Sequence, residues 1–133
     1  MAAAVADFRP ANVSANKIKK GQGLPEIILE KTVDILQEVV KCKANTGWPR
    51  MVVGFAAESQ NLLENAQAKL ASKDLDIIAA NNILASQAGF GVDTNQVTLL
   101  FRDGHAEPLP LLSKDEVAEI IMHRVIEILE KKG

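Results

Sequence analysis

The stretch Met-Val-Val-Gly-Phe-Ala-Ala-Glu, residues 51–58, decides how the rest of the chain is arranged. It is an apolar run that ends in small residues, and a helical pattern follows it directly. Such runs are typical of buried parallel strands that helices cover on both faces. Ligands of open α/β sheets bind just beyond the carboxyl ends of such strands. The stretch therefore predicts a central strand with residues 55–59 at the mouth of a crevice.

The other predicted elements alternate around this strand. Further strands are expected at residues 2–8, 24–30 and 75–80, and a hairpin at residues 96–102 and 106–112 around an Asp-Gly turn. Helices are expected after Thr32, which is read as a cap, and after capping boxes at residues 61–64 and 113–116. The pattern predicts an α/β fold: a Rossmann-like, mostly parallel sheet flanked by helices, with an antiparallel hairpin near the C-terminus.

Composition limits the possible classes of function. The chain has 133 residues, a formal net charge of −2 and a hydrophobic fraction of 47%, which predicts one domain-sized unit. Binding of nucleic acid would need a concentrated basic face, and the apolar runs are shorter than the roughly 20 residues of a membrane span. The single cysteine, Cys42, cannot form an internal disulfide, which fits a cytoplasmic protein.

Polar residues are expected at the ends of three predicted strands. Asp7, residues 55–58 and the pair Asn81-Asn82 would line one rim if the strands were parallel neighbours. A carboxylate there can bind a ribose hydroxyl or a metal-bound water. The alternative for Asp7 is a loop carboxylate that backbone amides satisfy.

Three lysines are candidates for binding an anion. Lys17 begins a basic, glycine-flanked loop that suits a polyphosphate, although such lysine runs are also common on solvated surfaces. Lys69 and Lys73 lie beside the apolar stripe of a predicted helix. They either extend their charged ends to solvent or reach an anion at the sheet.

Several catalytic signatures are absent from the sequence. Neither the P-loop pattern nor the dinucleotide fingerprint occurs. His105 and His123 have no ligand partners at metal-site spacing, and Cys42 is read as a packing residue. The residues alone therefore predict an α/β domain with an anion-binding rim.

Taken together, seven segments resemble the phosphopantothenoylcysteine synthetase family, also called phosphopantothenate–cysteine ligase, over essentially the whole chain. The segments occur in the family's order and near its spacing. They are residues 2–10 (AAAVADFRP), 17–20 (KIKK), 34–36 (DIL), 53–58 (VGFAAE), Asn65 with Lys69, 75–81 (LDIIAAN) and 89–98 (GFGVDTNQVT).

The resemblance implies an enzyme of coenzyme A biosynthesis. The bacterial family joins 4′-phosphopantothenate to cysteine, consuming CTP through an acyl-cytidylate and requiring Mg²⁺. It is often fused behind a decarboxylase that carries FMN, a domain that this chain does not include, and it tends to form homodimers. The resemblance thus implies CTP, 4′-phosphopantothenate and cysteine as small-molecule partners, with neither nucleic acid nor membrane.

The resemblance also implies specific contacts, with Lys17 as the catalytic residue. Activation places charge on the phosphates, which lysines and Mg²⁺ stabilise. The implied nucleotide-binding residues are Met1, Ala2, Ala3, Asp7, Lys17, Asp34, Ile35, Leu36, Gln37, Phe55, Lys69 and Lys73. No protein ligand to the metal is implied.

The sequence departs from the family pattern in ways that leave alternatives open. The family's upstream glycine-rich segment and its functional Asn loop are absent, so residues 1–133 are expected to be the C-terminal portion of one synthetase domain. Thr32-Val33-Asp34 replaces the usual Asn/Thr-Pro-Asp, and Asn82 replaces a common Asp. A non-catalytic nucleotide-binding or dimerisation module is the alternative function, and the missing glycine fingerprint disfavours an oxidoreductase.

Overall fold

The computed structural model describes residues 5–13, 26–58, 61–82 and 93–132. In chain order the elements are β1 (Phe8–Pro10), β2 (Leu29–Lys31), α1 (Ile35–Thr46), β3 (Val53–Glu58), α2 (Leu62–Ser72), β4 (Ile77–Asn82), β5 (Thr94–Asn95), β6 (Val97–Phe101), β7 (Ala106–Pro108), β8 (Leu112–Ser113) and α3 (Lys114–Lys132). The α/β class, the flanking helices and the antiparallel C-terminal hairpin are confirmed.

The main sheet has the strand order β3-β4-β6-β7. Strands β3 and β4 are parallel, with Val53 opposite Ile77 and Glu58 opposite Asn82. Strand β6 then pairs antiparallel with β4, and β7 antiparallel with β6. Within the described residues, β3–β4 is therefore the parallel pair of this sheet, and the other two strand pairs are antiparallel.

Strand β4 lies at the centre of the fold because helices cover both of its faces. Ile78 and Ala80 belong to a buried cluster with Ala66 and Leu70 of α2, against which α1 also packs. Ile77 and Ala79 point to the opposite face, into the cluster that α3 covers. This alternation follows from the two-residue period of a strand.

Gly54 of β3 is closely approached by Leu75, which lies between the end of α2 and the start of β4. A Cβ built at this position would lie 2.7 Å from Cδ1 of Leu75, whose side chain is fully buried. Any larger residue would push Leu75 out of its place in a dense core. The glycine within the apolar run therefore leaves room for the buried side chain of Leu75 against β3.

Strands β1 and β2 form a separate two-stranded antiparallel arm. The sequence predicts a buried strand at residues 2–8, and this is wrong for the described residues 5–8, since Val5 and Phe8 are about half exposed. The arm is held by its own contacts: Phe8 lies opposite Lys31, and the N–H of Thr32 donates to the carbonyl of Asp7 at 2.9 Å. An apolar run indicates a strand but does not say which sheet it joins.

The capping box at the start of α3 is confirmed, and the one at α2 is wrong. Ser113 Oγ accepts from the N–H of Glu116 at 3.2 Å, and Glu116 Oε2 accepts from the N–H of Ser113 at 2.8 Å. Asn61 instead adopts a left-handed conformation, with φ of 50°, and makes no side-chain cap. The described part of the chain contains no helix long and apolar enough to cross a membrane.

Candidate functional site

Asp34 caps the amino end of α1, replacing Thr32 as the predicted cap. Its Oδ1 accepts from the N–H of Gln37 at 3.2 Å, while Thr32 Oγ donates to the carbonyl of Ala6. The first N–H groups of a helix lack partners within it and attract anions. The Asp34 carboxylate is the anion bound at this positive end of α1.

Lys73 reaches the same place from the end of α2. Its Nζ is hydrogen-bonded to Oδ2 of Asp34, 39 residues earlier in the sequence. The ammonium of Lys73 and the N–H of Gln37 together hold the pKa of the Asp34 carboxyl below its ordinary value of 3.8. Lys73 and the amino end of α1 thus form one electropositive site, and the carboxylate of Asp34 lies in it.

The carboxyl ends of β3 and β4 line one rim, as predicted. Phe55 lies opposite Ala79, and its side chain is 46% exposed. Asn81 has a buried Oδ1 to which none of the described residues donates. Phe55 therefore presents an exposed aromatic face part-way along β3, whereas the oxygen of Asn81 is enclosed and lacks a donor among the described residues.

The structure separates two groups of predicted residues. Lys73 follows α2 and precedes the start of β4, so it lies on the side where the parallel strands begin. Phe55 lies further along β3, toward the carboxyl rim. The expectation that Asp7 joins this rim is wrong, since Asp7 lies at the base of the β1–β2 arm, exposed to solvent.

The remaining predicted residues fall into three groups. Met1, Ala2, Ala3 and Lys17 lie outside the described residues. Ile35 and Leu36 form the first turn of α1, directly after Asp34. Lys69 is exposed on α2, and its carbonyl accepts from the N–H of Lys73 at 3.0 Å.

Asp76, which the sequence analysis did not single out, is a buried junction of several elements. Its side chain is 3% exposed. Oδ2 accepts from the N–H of Val52 at 2.8 Å and from Nζ of Lys43 at 3.1 Å. Oδ1 accepts from Nζ of Lys132 at 2.9 Å and lies 3.5 Å from Nε of Arg102. The carboxylate thus links α1, β3, β6 and α3.

Burial and hydrogen bonding act on Asp76 in opposite directions. Burial raises the pKa of its carboxyl, but hydrogen bonds from Lys132, the N–H of Val52 and Lys43 outweigh burial and bring it below 3.8. A signal for this residue exists in the sequence: Asp76 is a carboxylate inside the run Leu75-Asp76-Ile77-Ile78. A buried charge requires partners, but the run does not identify them.

A cavity of about 770 Å³ lies beside this junction, between the β6–β7 hairpin and α3. Its arginines are already paired: Arg124 makes two hydrogen bonds to Glu107, at 2.7 and 2.8 Å, and Arg102 binds Asp74. Four acidic and four basic side chains line it, so its walls carry no net charge with His105 neutral. The cavity does not favour an anion, and none of the predicted site residues lines it.

Within the described residues, no three His, Cys, Asp or Glu side chains come together as a metal site. Mg²⁺ binds through one or two carboxylates together with substrate phosphates. Among the described residues, Asp34 is the carboxylate beside Lys73 and the amino end of α1.

Comparison with known proteins identifies the family. The family model described as the DNA/pantothenate metabolism flavoprotein C-terminal domain matches residues 1–129. The chain is 44% identical over 131 residues to the coenzyme A biosynthesis bifunctional protein CoaBC of Bacillus subtilis, covering 98% of this chain and 31% of that protein. It is 39% identical to the CoaBC of Vibrio cholerae, covering 94% of this chain and 31% of that protein.

The solved structures agree with this assignment. The crystal structure of the C-terminal domain of a CoaBC has a TM-score of 0.69 and 36% identity, covering 97% of this chain and 53% of that one. The chain spans about a third of the length of the curated relatives. It belongs to the family of the DNA/pantothenate metabolism flavoprotein C-terminal domain.

Proposed function

We propose that this chain supplies much of the nucleotide site of a phosphopantothenate–cysteine ligase. The reaction is the CTP-dependent joining of 4′-phosphopantothenate to cysteine, which yields phosphopantothenoylcysteine, CMP and pyrophosphate. The observation that carries the proposal is the match to the pantothenate family over residues 1–129. The meeting of Lys73 with the amino end of α1 supports it.

In this proposal the triphosphate binds where the Asp34 carboxylate now lies. Lys73 and the N–H groups of residues 35–37 attract the phosphates, and Asp34 moves aside from Lys73. Because Phe55 lies further along β3 than the Lys73 end of the sheet, its half-exposed ring is proposed to pack by the cytosine base, at the opposite end of the nucleotide from the phosphates. Further nucleotide contacts are proposed for Lys69, for Met1 and for three residues of the first predicted strand: Ala2, Ala3 and Asp7.

Two displacement steps account for the products. A carboxylate oxygen of 4′-phosphopantothenate attacks the α-phosphorus of CTP, and the bond to pyrophosphate breaks. The cysteine amine then attacks the acyl carbon, loses a proton and expels CMP. The protein's main role is electrostatic, because negative charge moves between phosphate oxygens in the first step. Lys17 is the proposed catalytic residue, placing its ammonium against the α-phosphate.

Magnesium accompanies the nucleotide in this scheme. When bound, it neutralises charge on the phosphate oxygens. Asp34 is the described carboxylate at the phosphate end, and it is freed for the metal when Lys73 turns to the phosphates.

The chain is further proposed to be the C-terminal portion of a single synthetase domain. It covers 53% of the solved CoaBC C-terminal domain, and the curated relatives are named bifunctional proteins. A fused or associated decarboxylase, which would carry any FMN, is therefore a proposed partner, and the setting is proposed to be cytoplasmic.

Calorimetry with CTP and Mg²⁺ tests the nucleotide site. We expect Lys73→Met to raise the dissociation constant at least about tenfold, since a charge-assisted phosphate contact contributes about 1.5–3 kcal/mol. Lys131→Met is the matched control, because it removes an exposed lysine beside the neutral cavity and leaves α1 untouched.

Two results would contradict the assignment. One is CTP binding no more tightly than inorganic triphosphate. The other is Lys73→Met and Lys131→Met weakening binding equally. Co-expression with the upstream half of a relative's synthetase domain, followed by an assay for CMP release, then separates catalysis from binding alone.

A non-catalytic dimerisation module is the second candidate, and the exposed arm favours it. Apolar side chains of the arm are more than half exposed, among them Phe8 and Leu29 of the two strands and Ile28 beside them. Exposed apolar patches of this kind mark interaction surfaces. A homodimer through the arm is compatible with either function.

Sedimentation equilibrium tests the homodimer. We expect Phe8→Glu to weaken self-association at least about tenfold, because it buries a carboxylate against a second arm. Met122→Glu on α3, where Met122 is 55% exposed, should leave the dimer intact. A dimer that survives Phe8→Glu, or dissociates equally in both variants, places the interface elsewhere.

A further inference from the structure

Helix α1 is attached to the rest of the described chain mainly at its ends. None of its residues is buried, and Leu36 and Val39 are partly buried against the α2 cluster. At the amino end Asp34 pairs with Lys73. At the carboxyl end Nζ of Lys43 lies 3.1 Å from Oδ2 of Asp76. The orientation of α1 relative to the sheet therefore depends on these two ion pairs.

The two ion pairs differ in burial. The side chains of Asp34 and Lys73 are 42% and 23% exposed, whereas those of Asp76 and Lys43 are 3% and 21% exposed. A pair shielded from water is less screened and more directional. Asp76 is also held by the N–H of Val52, next to the start of β3. The carboxyl end of α1 is thus its fixed end.

We infer that Lys43 and Asp76 are positioning residues for the phosphate-binding amino end of α1, an inference that rests on the proposed function. When a triphosphate takes Lys73, Asp34 loses its cation. Within the described residues, Lys43–Asp76 is then the ion pair that still ties α1 to the sheet. Helix α1 rises about 12 Å from Lys43 back to Ile35, so a tilt of about 5° about Lys43 moves its amino end by roughly 1 Å. Such a shift changes the contacts of the N–H groups with phosphate.

The variant Lys43→Met tests this on the full chain. Asp76 keeps Lys132, Arg102 and the N–H of Val52, so its charge stays compensated and the chain folds. We expect the dissociation constant for CTP with Mg²⁺ to rise about fivefold. The matched control is Lys41→Met on the same helix, where Lys41 pairs within the helix with Glu38 and its loss leaves affinity unchanged. Lys43→Arg should restore most of the affinity.

Amide hydrogen exchange separates positioning from general loosening. In Lys43→Met we expect faster exchange at residues 37–46 of α1, with β4 and β6 unchanged. Affinity equal to that of the unmodified chain overturns the inference, as does a loss matched by Lys41→Met or faster exchange across the whole sheet. If the unmodified chain itself fails to bind CTP, the proposed function fails, which is a different result.

Discussion

Asp76→Asn should lower the free energy of unfolding by about 3 kcal/mol, the low end of the loss on breaking a buried ion pair. The amide can still accept from the N–H of Val52, and Arg102 keeps its hydrogen bond to Asp74, but Lys43 and Lys132 lose the carboxylate that compensates them. Lys132 and Arg102 are about half exposed and can turn to water, which is why the low end applies. Urea unfolding of both proteins measures the difference.

Glu119→Gln is the control for this substitution. It removes a carboxylate from the exposed face of α3 and should change the free energy of unfolding by less than about 0.5 kcal/mol. If Asp76→Asn is as stable as Glu119→Gln, the carboxylate does not hold these elements together.

The difference in the free energy of unfolding between the unmodified chain and Asp76→Asn should depend on pH. The pKa of Asp76 is below 3.8 in the folded chain and about 3.9 when unfolded. A depressed pKa contributes stability above the unfolded value and loses it as pH falls through the folded one. The free energy of unfolding of the unmodified chain should therefore exceed that of Asp76→Asn by a constant amount above about pH 5. This difference should become smaller below pH 3.8. A gap that is constant down to pH 2 would assign the loss to packing.

Lys17→Ala should reduce kcat by about 100- to 1000-fold, as the loss of a preorganised group that stabilises transition-state charge does elsewhere. The proposed role places its charge where pyrophosphate departs, so KM for CTP should change less than kcat. The measurement is the release of pyrophosphate and CMP by the chain co-expressed with the upstream half of a relative's domain.

Lys19→Ala gives the comparison that matters for Lys17. Lys19 lies two residues further along the same basic run, so both variants change the net charge of that run equally. Near-normal kcat in Lys19→Ala would support one catalytic lysine. An equal loss in both variants would indicate that the run acts as a general positive field.

The elements that sequence predicts well here are those with strong local patterns. The apolar runs predict β3 and β4 with bounds within two residues of those observed. The Asp-Gly turn predicts the β6–β7 hairpin, where Gly104 has φ of 88°. The capping box at Ser113 predicts the start of α3, because its two hydrogen bonds lie within four residues.

Prediction was weaker where the same local pattern allows more than one outcome. Thr32 and Asp34 are both good caps, and the structure uses Asp34 because Thr32 is engaged with the β1–β2 arm. The first strand of the arm was predicted as a buried strand at residues 2–8, because an apolar run does not show which elements lie beside it. Lys73 was predicted either to extend its charged end to solvent or to reach an anion, and its described partner is the cap of α1.

The sequence by itself determined the local elements of this protein: the apolar strands, the hairpin turn, the cap of α3 and the family to which the motifs belong. The tertiary structure decided which strands are neighbours and which charges meet. Asp76 pairs with Lys132 across 56 residues of sequence, and Asp34 with Lys73 across 39. The physical reason is range: a turn or a cap is formed by adjacent residues, whereas the partner of a buried charge depends on how separate elements pack.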